Sequence, residues 1–174
     1  MEKRGSAMKL IFVQRIFSWF DSYDIYDEDD NVIFKVKGQL SLGHCFKIFD
    51  SKDREVAMVK ERIIRYLPCY DIYINGQMIG SVHRKIAFFG SHYTIDYRDW
   101  DIKGDIFDWN YEIYYHDQLI ASVAKKFFQF RDTYIIDVVN PNDALSVLTF
   151  ALAMDAEKCR ERRKSRLNDD DQEY

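Results

Sequence analysis

Residues Asn140 to Lys158 read NPNDALSVLTFALAMDAEK. Asn140 is a capping residue type, Pro141 stands where a first helical residue tolerates proline, and Asp143 falls in the opening turn. From Ala144 to Met154 nearly every residue is apolar, and the apolar positions occupy all sides of a helical wheel rather than one stripe. A helix that is hydrophobic all round is enclosed by something. A membrane span needs ~20 such residues, and this stretch has eleven. The enclosure is therefore expected to be protein: a helix over 141–158 threaded through a sheet.

The chain before it repeats. An aromatic, any residue and an isoleucine recur at Tyr23, Phe46, Tyr70, Tyr93, Tyr111 and Tyr134, at intervals of 23, 24, 23, 18 and 23 residues. In four of the first five units a polar tip follows (Asp27 to Asn31, Asp50 to Asp53, Asn75-Gly76, His116-Asp117), then a second short apolar run. Asn-Gly between two alternating runs is a strong hairpin signal. The unit with Arg98 to Asp101 at its tip matches least well. With a first strand around Lys9 to Val13 and a last one at Tyr134 to Val138, the units predict about twelve antiparallel strands.

Strands of that number close a barrel wider than side chains alone fill, and an enclosed helix would fill it. The alternation predicts an inward set of Val32, Phe34, Val36, Ala57, Val59, Met78, Gly80, Val82, Leu119, Ala121 and Val123. Ala57, Gly80 and Ala121 leave room for a helix backbone. The fold class expected is thus mainly β: a closed antiparallel barrel of about 12 strands around a central hydrophobic C-terminal helix. An ordinary sandwich with an appended surface helix is the alternative. Residues 1–7 are expected to be a loose extension, with Met8 an alternative start. Residues 8–158 form one domain, and 159–174 a charged tail without fixed structure.

The whole chain has 174 residues, 47% hydrophobic and 16% aromatic, which suits one well-filled strand-rich domain. Its net charge of −4 argues against nucleic-acid binding through bulk charge. Cys45, Cys69 and Cys159 have no metal-type spacing. In an up-and-down order a strand separates Cys45 from Cys69, and two strand spacings of ~4.8 Å exceed disulfide reach. His44, His83, His92 and His116 are scattered over different hairpins. No phosphate-cradling glycine loop or nucleophile elbow is present, so the expectation is no catalytic set, no metal and no cofactor. The first residues lack the apolar core of a secretory signal, and a cytoplasmic location, free or peripheral to a membrane, is expected.

The Tyr-x-Ile-Tyr hairpins, the run Lys125-Lys126-Phe127-Phe128-Gln129-Phe130-Arg131-Asp132-Thr133-Tyr134, and a proline followed by a helix ending in Met154-Asp155-Ala156 resemble the LURP-one-related family. The resemblance covers roughly Met8 to Lys158. It implies a twelve-stranded barrel around a central C-terminal helix, similar in fold to the C-terminal domain of tubby proteins and to phospholipid scramblases. Tubby domains bind phosphoinositides and scramblases act on membranes. No tubby phosphoinositide motif can be placed here residue by residue, so none is carried over.

The second strands end in basic residues, whereas the hairpin tips are mostly acidic. Antiparallel hairpins would gather Lys37, Lys60, Arg62, Arg84, Lys85, Lys125 and Lys126 at one end. The helix would enter among the tips and deliver Lys158, Arg160, Arg162, Arg163 and Lys164 to that same rim. Apolar residues lie beside them (Ile16, Phe17, Trp19 and Phe20; Ile63, Ile64, Tyr66 and Leu67; Ile86, Phe88 and Phe89; Phe127, Phe128 and Phe130). Cations next to rings suit a membrane interface, although the same runs would also close a barrel mouth. The function expected is a non-enzymatic module that binds anionic phospholipid headgroups or another anionic partner. A protein-interaction scaffold is the alternative, and an enzyme or lipid-moving activity the least supported. Asp155 is expected at the barrel mouth, accepting hydrogen bonds.

Overall fold

A computed structural model describes residues 7–13, 22–39, 41–63, 68–86, 91–95, 98–106, 108–128 and 131–170. The strands are β1 (Met8–Val13), β2 (Ser22–Tyr26), β3 (Val32–Gly38), β4 (Cys45–Asp50), β5 (Glu55–Glu61) and β6 (Cys69–Ile74). They continue as β7 (Gln77–Ile86), β8 (Ser91–Ile95), β9 (Trp100–Asp105), β10 (Asn110–Tyr115), β11 (Gln118–Phe128) and β12 (Arg131–Val138). A 3-10 turn, Pro141–Asp143, leads into α1 (Ala144–Asp170). All twelve strands join one antiparallel sheet in the order β8-β7-β6-β5-β4-β3-β2-β1-β12-β11-β10-β9. Consecutive strands pair with each other except β8 and β9, which stand at opposite edges, and β1 also pairs with β12, from Met8↔Val138 to Val13↔Thr133. That long-range ladder brings the two ends of the domain together.

The sheet wraps the helix. From Ser146 to Glu157 every residue is buried, none more than 3% exposed. Twelve residues at 100° steps point in every direction, so no side of this segment faces water. The inner face supplies Leu10, Ile25, Val36, Ile48, Ile72, Val82, Ile113, Val123 and Ile136, all essentially inaccessible. A closed ring of hydrogen bonds is not what encloses it. β8 and β9 are the sheet's two edges, and no backbone ladder joins them among the described residues.

The helix starts as its composition predicts. Asn140 is extended (φ −115°, ψ 118°) and its Oδ1 accepts from the Asn142 amide at 3.1 Å. Its end differs: the backbone stays helical beyond Lys158 to Asp170. Arg, Lys, Glu and Leu dominate that segment, and all are good helix formers, with no Gly or Pro to stop them.

Four hairpins share one irregularity that strict alternation misses. Ile25 pairs with Phe34 but Tyr26 with Val32, Ile48 with Ala57 but Phe49 with Glu55. Likewise Ile72 pairs with Gly80 but Tyr73 with Met78, and Ile113 with Ala121 but Tyr114 with Leu119. One residue is extra each time: Ile33, Val56, Ile79 and Ile120. Such a bulge puts two consecutive side chains on one face and inverts the alternation beyond it. The four extra residues therefore pack against the core, while Met78 and Leu119, expected inside, are 48% and 38% exposed.

Candidate functional site

The two ends of the wrapped helix are held differently. At its N-terminus, among the hairpin tips, Arg98 donates to Asp143 Oδ1 at 3.2 Å and to Ser146 Oγ at 2.9 Å. Its guanidinium lies over the Trp100 ring, 5.4 Å from the centroid. Arg98 thus ties the β8–β9 connection to the first turns of the helix. A cleft of about 370 Å3 opens there, lined by Arg98, Asp99, Trp100, Tyr115, Ile120 and Asp143. The tips of the first two hairpins repeat each other bond for bond. Asp27 Oδ1 accepts from the amides of Asp29 and Asn31, and Asp50 Oδ1 from those of Lys52 and Arg54. These bonds hold both carboxylates below their ordinary range: Asp27 chiefly through the Asn31 side chain, Asp50 through the Arg54 backbone and then its side chain.

At the opposite end the helix leaves the sheet among polar groups. Tyr70 on β6 donates to Glu157 Oε2 at 3.0 Å, with both residues buried. Burial and the Glu157 charge push the Tyr70 hydroxyl far up. Asp155 is buried rather than placed at an open mouth. Burial, and then the Asp155 charge, raise the hydroxyls of Tyr23 and Tyr111. Outward from these, Glu61 at the end of β5 is a hub. Its Oε2 accepts from the His44 amide at 2.9 Å and lies 2.7 Å from His44 Nδ1, while its Oε1 faces Arg160 at 3.8 Å. The Glu61 amide in turn donates to the His44 carbonyl at 2.7 Å.

Burial alone would raise the Glu61 carboxyl, but the His44 bonds, the His44 charge and Arg160 outweigh it, so the net shift is downward. A depressed folded-state pKa contributes stability fully above the ordinary glutamate value of ~4.3 and loses it as pH falls through the folded value. Urea midpoints measured from pH 7 to 3 are therefore expected to fall less steeply below about pH 4.5 for Glu61→Gln than for the parent. Asp27 and Asp50 contribute to acid loss in both proteins and cancel in the difference. Parallel curves would remove Glu61 from this role.

The structure distributes the anticipated cations around this end. Lys60 is exposed on the outer wall of β5, in register with Asp71 and Cys45. Arg62 is taken up by Asp71, Nε to Oδ2 at 2.8 Å and Nη2 to Oδ1 at 2.6 Å. Arg160 is shared with Glu61. Lys37 is half-buried with its ammonium 4.6 Å from the Phe49 ring centre. Lys125 and Lys126 are exposed at the end of β11. Six places in the strand order separate β11 from β5, so these two stand across the mouth from Lys60. Lys60, Glu61, Arg62 and Arg160 come together; Lys37 and the β11 pair do not join them. Lys158 is half-buried on the helix.

The side chains of Arg84, Lys85, Arg162, Arg163 and Lys164 lie outside the described residues, as do residues 1–6 and 171–174. So do the side chains of the apolar residues expected beside them, Ile16, Phe17, Trp19, Phe20, Ile64, Tyr66, Leu67, Ile86, Phe88, Phe89, Phe127, Phe128 and Phe130. Sequence reasoning missed His44, Glu61 and Asp71. Glu61, lying between Lys60 and Arg62 at a strand end, was the available signal, because a lone acid in a basic run asks for a partner. Among the described residues no three His, Cys, Asp or Glu side chains converge as a metal site. Cys45 and Cys69 are free and buried, with β5 between their strands.

An antiparallel twelve-stranded sheet wound on a C-terminal helix that is buried on every side from Ser146 to Glu157 and emerges beside basic residues defines the class of protein. The sequence pattern of the LURP-one-related family matches residues 8–155, and the chain belongs to that family. It is 32% identical over 100 residues to a Bacillus subtilis (strain 168) protein named as the uncharacterized protein YxjI. That match takes in 57% of this chain and 62% of the relative's length. The fold is similar to that of a solved Arabidopsis thaliana protein, with TM-score 0.56, 16% identity, and coverage of 83% of this chain and 89% of the other. Among the described residues no helix is long and apolar enough to cross a membrane.

Proposed function

We propose that the protein is a non-enzymatic binding module that engages anionic phospholipid headgroups through the rim where its helix emerges. The observation that carries this reading is the unbroken course of α1 from the buried core out to Asp170. The cationic run Lys158 to Arg166 is thereby mounted on a helix anchored in the sheet, at the end where Lys60, Lys125 and Lys126 are exposed. Each Lys or Arg near an anionic surface contributes ~1 kcal/mol, so a handful is sufficient for peripheral attachment. On this reading the sheet serves as a closed barrel, with β8 against β9, a rigid holder for the helix. The location is the cytoplasm or a membrane surface facing it.

Co-sedimentation with vesicles of neutral, anionic and phosphoinositide-containing lipid at low salt is the test. Binding to the anionic sets and release as salt screens the charges is the expected result. No binding to any set would end the proposal. The second reading, a protein-interaction scaffold, draws on Tyr115, Leu119 and Val139, exposed apolar residues near one another on the last strands at the tip end. A partner retained after removal of the basic segment would favour it.

A further inference from the structure

Two exposed apolar side chains stand apart from the others by where they are held. Leu42 is 94% exposed and Ile63 53% exposed. Single exposed hydrophobes are ordinary, but these two occupy neighbouring loops at the helix exit. Gly43 shows how close the loops are: a Cβ added there would lie 3.3 Å from Ile63 Cγ1 and 3.1 Å from Glu61 Oε2. The two loops are also bolted together, because the His44 amide and ring both meet the Glu61 carboxylate and the Glu61 amide returns a bond to the His44 carbonyl. These bonds hold the two positions next to each other.

Its surroundings specify the occupant. Lys60, exposed and without a counter-ion among the described residues, lies three positions before Ile63, and Arg160 faces Glu61 from the helix. Leu42 is almost wholly in solvent. A rigid protein partner would need a matching pocket, whereas the soft interfacial layer of a bilayer receives an isolated leucine while its anionic headgroups meet the flanking cations.

We propose that Leu42 and Ile63 form an apolar wedge that inserts into the interfacial layer of an anionic membrane, beneath the headgroups bound by the basic rim. This rests on the lipid-binding reading above and adds penetration to it. Burial of one leucine contributes enough to change partitioning by about tenfold or more, and this part persists in salt that screens the charges.

The test uses the full chain with phosphatidylcholine–phosphatidylserine vesicles. Leu42→Trp reports penetration as a blue-shifted emission quenched by brominated acyl chains, read as a difference from the parent with its three native tryptophans. Leu42→Asp, read in salt that screens the repulsion from its added charge, reports the energetic share, and its exposure makes it harmless to folding. Blue shift and quenching, with a roughly tenfold weaker Leu42→Asp, support the wedge. Sedimentation of both variants like the parent, with unshifted emission, overturns it and leaves headgroup binding standing. No sedimentation of the parent overturns both. Self-association of the parent without lipid, lost in Leu42→Asp, assigns the pair to a second copy of the chain and also overturns the wedge.

Discussion

Leu148→Ala is expected to lower the stability of the domain by about 2–5 kcal/mol, the range for removing a leucine from a core that relaxes only partly. In a chain of this size that corresponds to a melting temperature lower by roughly 10 °C. The reason is location. Leu148 is 0% exposed on a helix whose neighbouring residues Val147, Phe150, Ala151, Leu152 and Ala153 are equally buried. A surface helix would show one tolerant face. Here truncations at Leu148 and Phe150, which lie on nearly opposite sides of the helix, should each be costly, and Ala151 or Ala153 enlarged to Leu should overpack. Thermal unfolding of the set decides it: a face that accepts substitution freely would place the helix on the sheet rather than within it.

The second large effect concerns binding. Replacing Arg162, Arg163 and Lys164 together by glutamine removes three positive charges from the emerging helix. At ~1 kcal/mol each near an anionic surface, the loss is about 3 kcal/mol, a roughly hundredfold weaker partitioning onto phosphatidylserine-containing vesicles at low salt. Arg160 is kept because it faces Glu61, so the contact at the helix exit survives and stability serves as the control. The difference between parent and variant should shrink as ionic strength rises and the Debye length contracts to ~8 Å or less. An unchanged affinity at low salt would remove the helix from the binding surface.

Much of the architecture is legible in the residues themselves. Apolar side chains on every side of 144–154 require an enclosure, because leaving any face in water would forgo a large share of the burial energy. The recurring aromatic-x-isoleucine triplets, separated by Asp-rich or Asn-Gly tips, mark hairpins because those tip residues accept the positive φ seen at Asp30, Asp53 and Asn75. The bulges were also written in the chain. Ile33-Phe34, Val56-Ala57, Ile79-Gly80 and Ile120-Ala121 are adjacent apolar pairs where strict alternation demands a polar residue. Strict period two places Met78 and Leu119 inside, whereas the bulge turns them out. The helical course after Lys158 is legible too, in good helix formers without a breaker.

The partners of the charges were not legible. Arg98 meets Asp143 and Ser146, Arg62 meets Asp71, and Glu61 draws in His44 and Arg160. Each link depends on which strands end side by side and how far the helix has advanced when it emerges. Local sequence sets backbone preference and hydrophobic period, because those act over a few residues. Ion pairs between segments 17 to 99 residues apart, as His44–Glu61 and Glu61–Arg160 are, are chosen by the register of the sheet. Only the folded sheet could show that Arg62 and Arg160 have carboxylate partners while Lys60 is open to solvent.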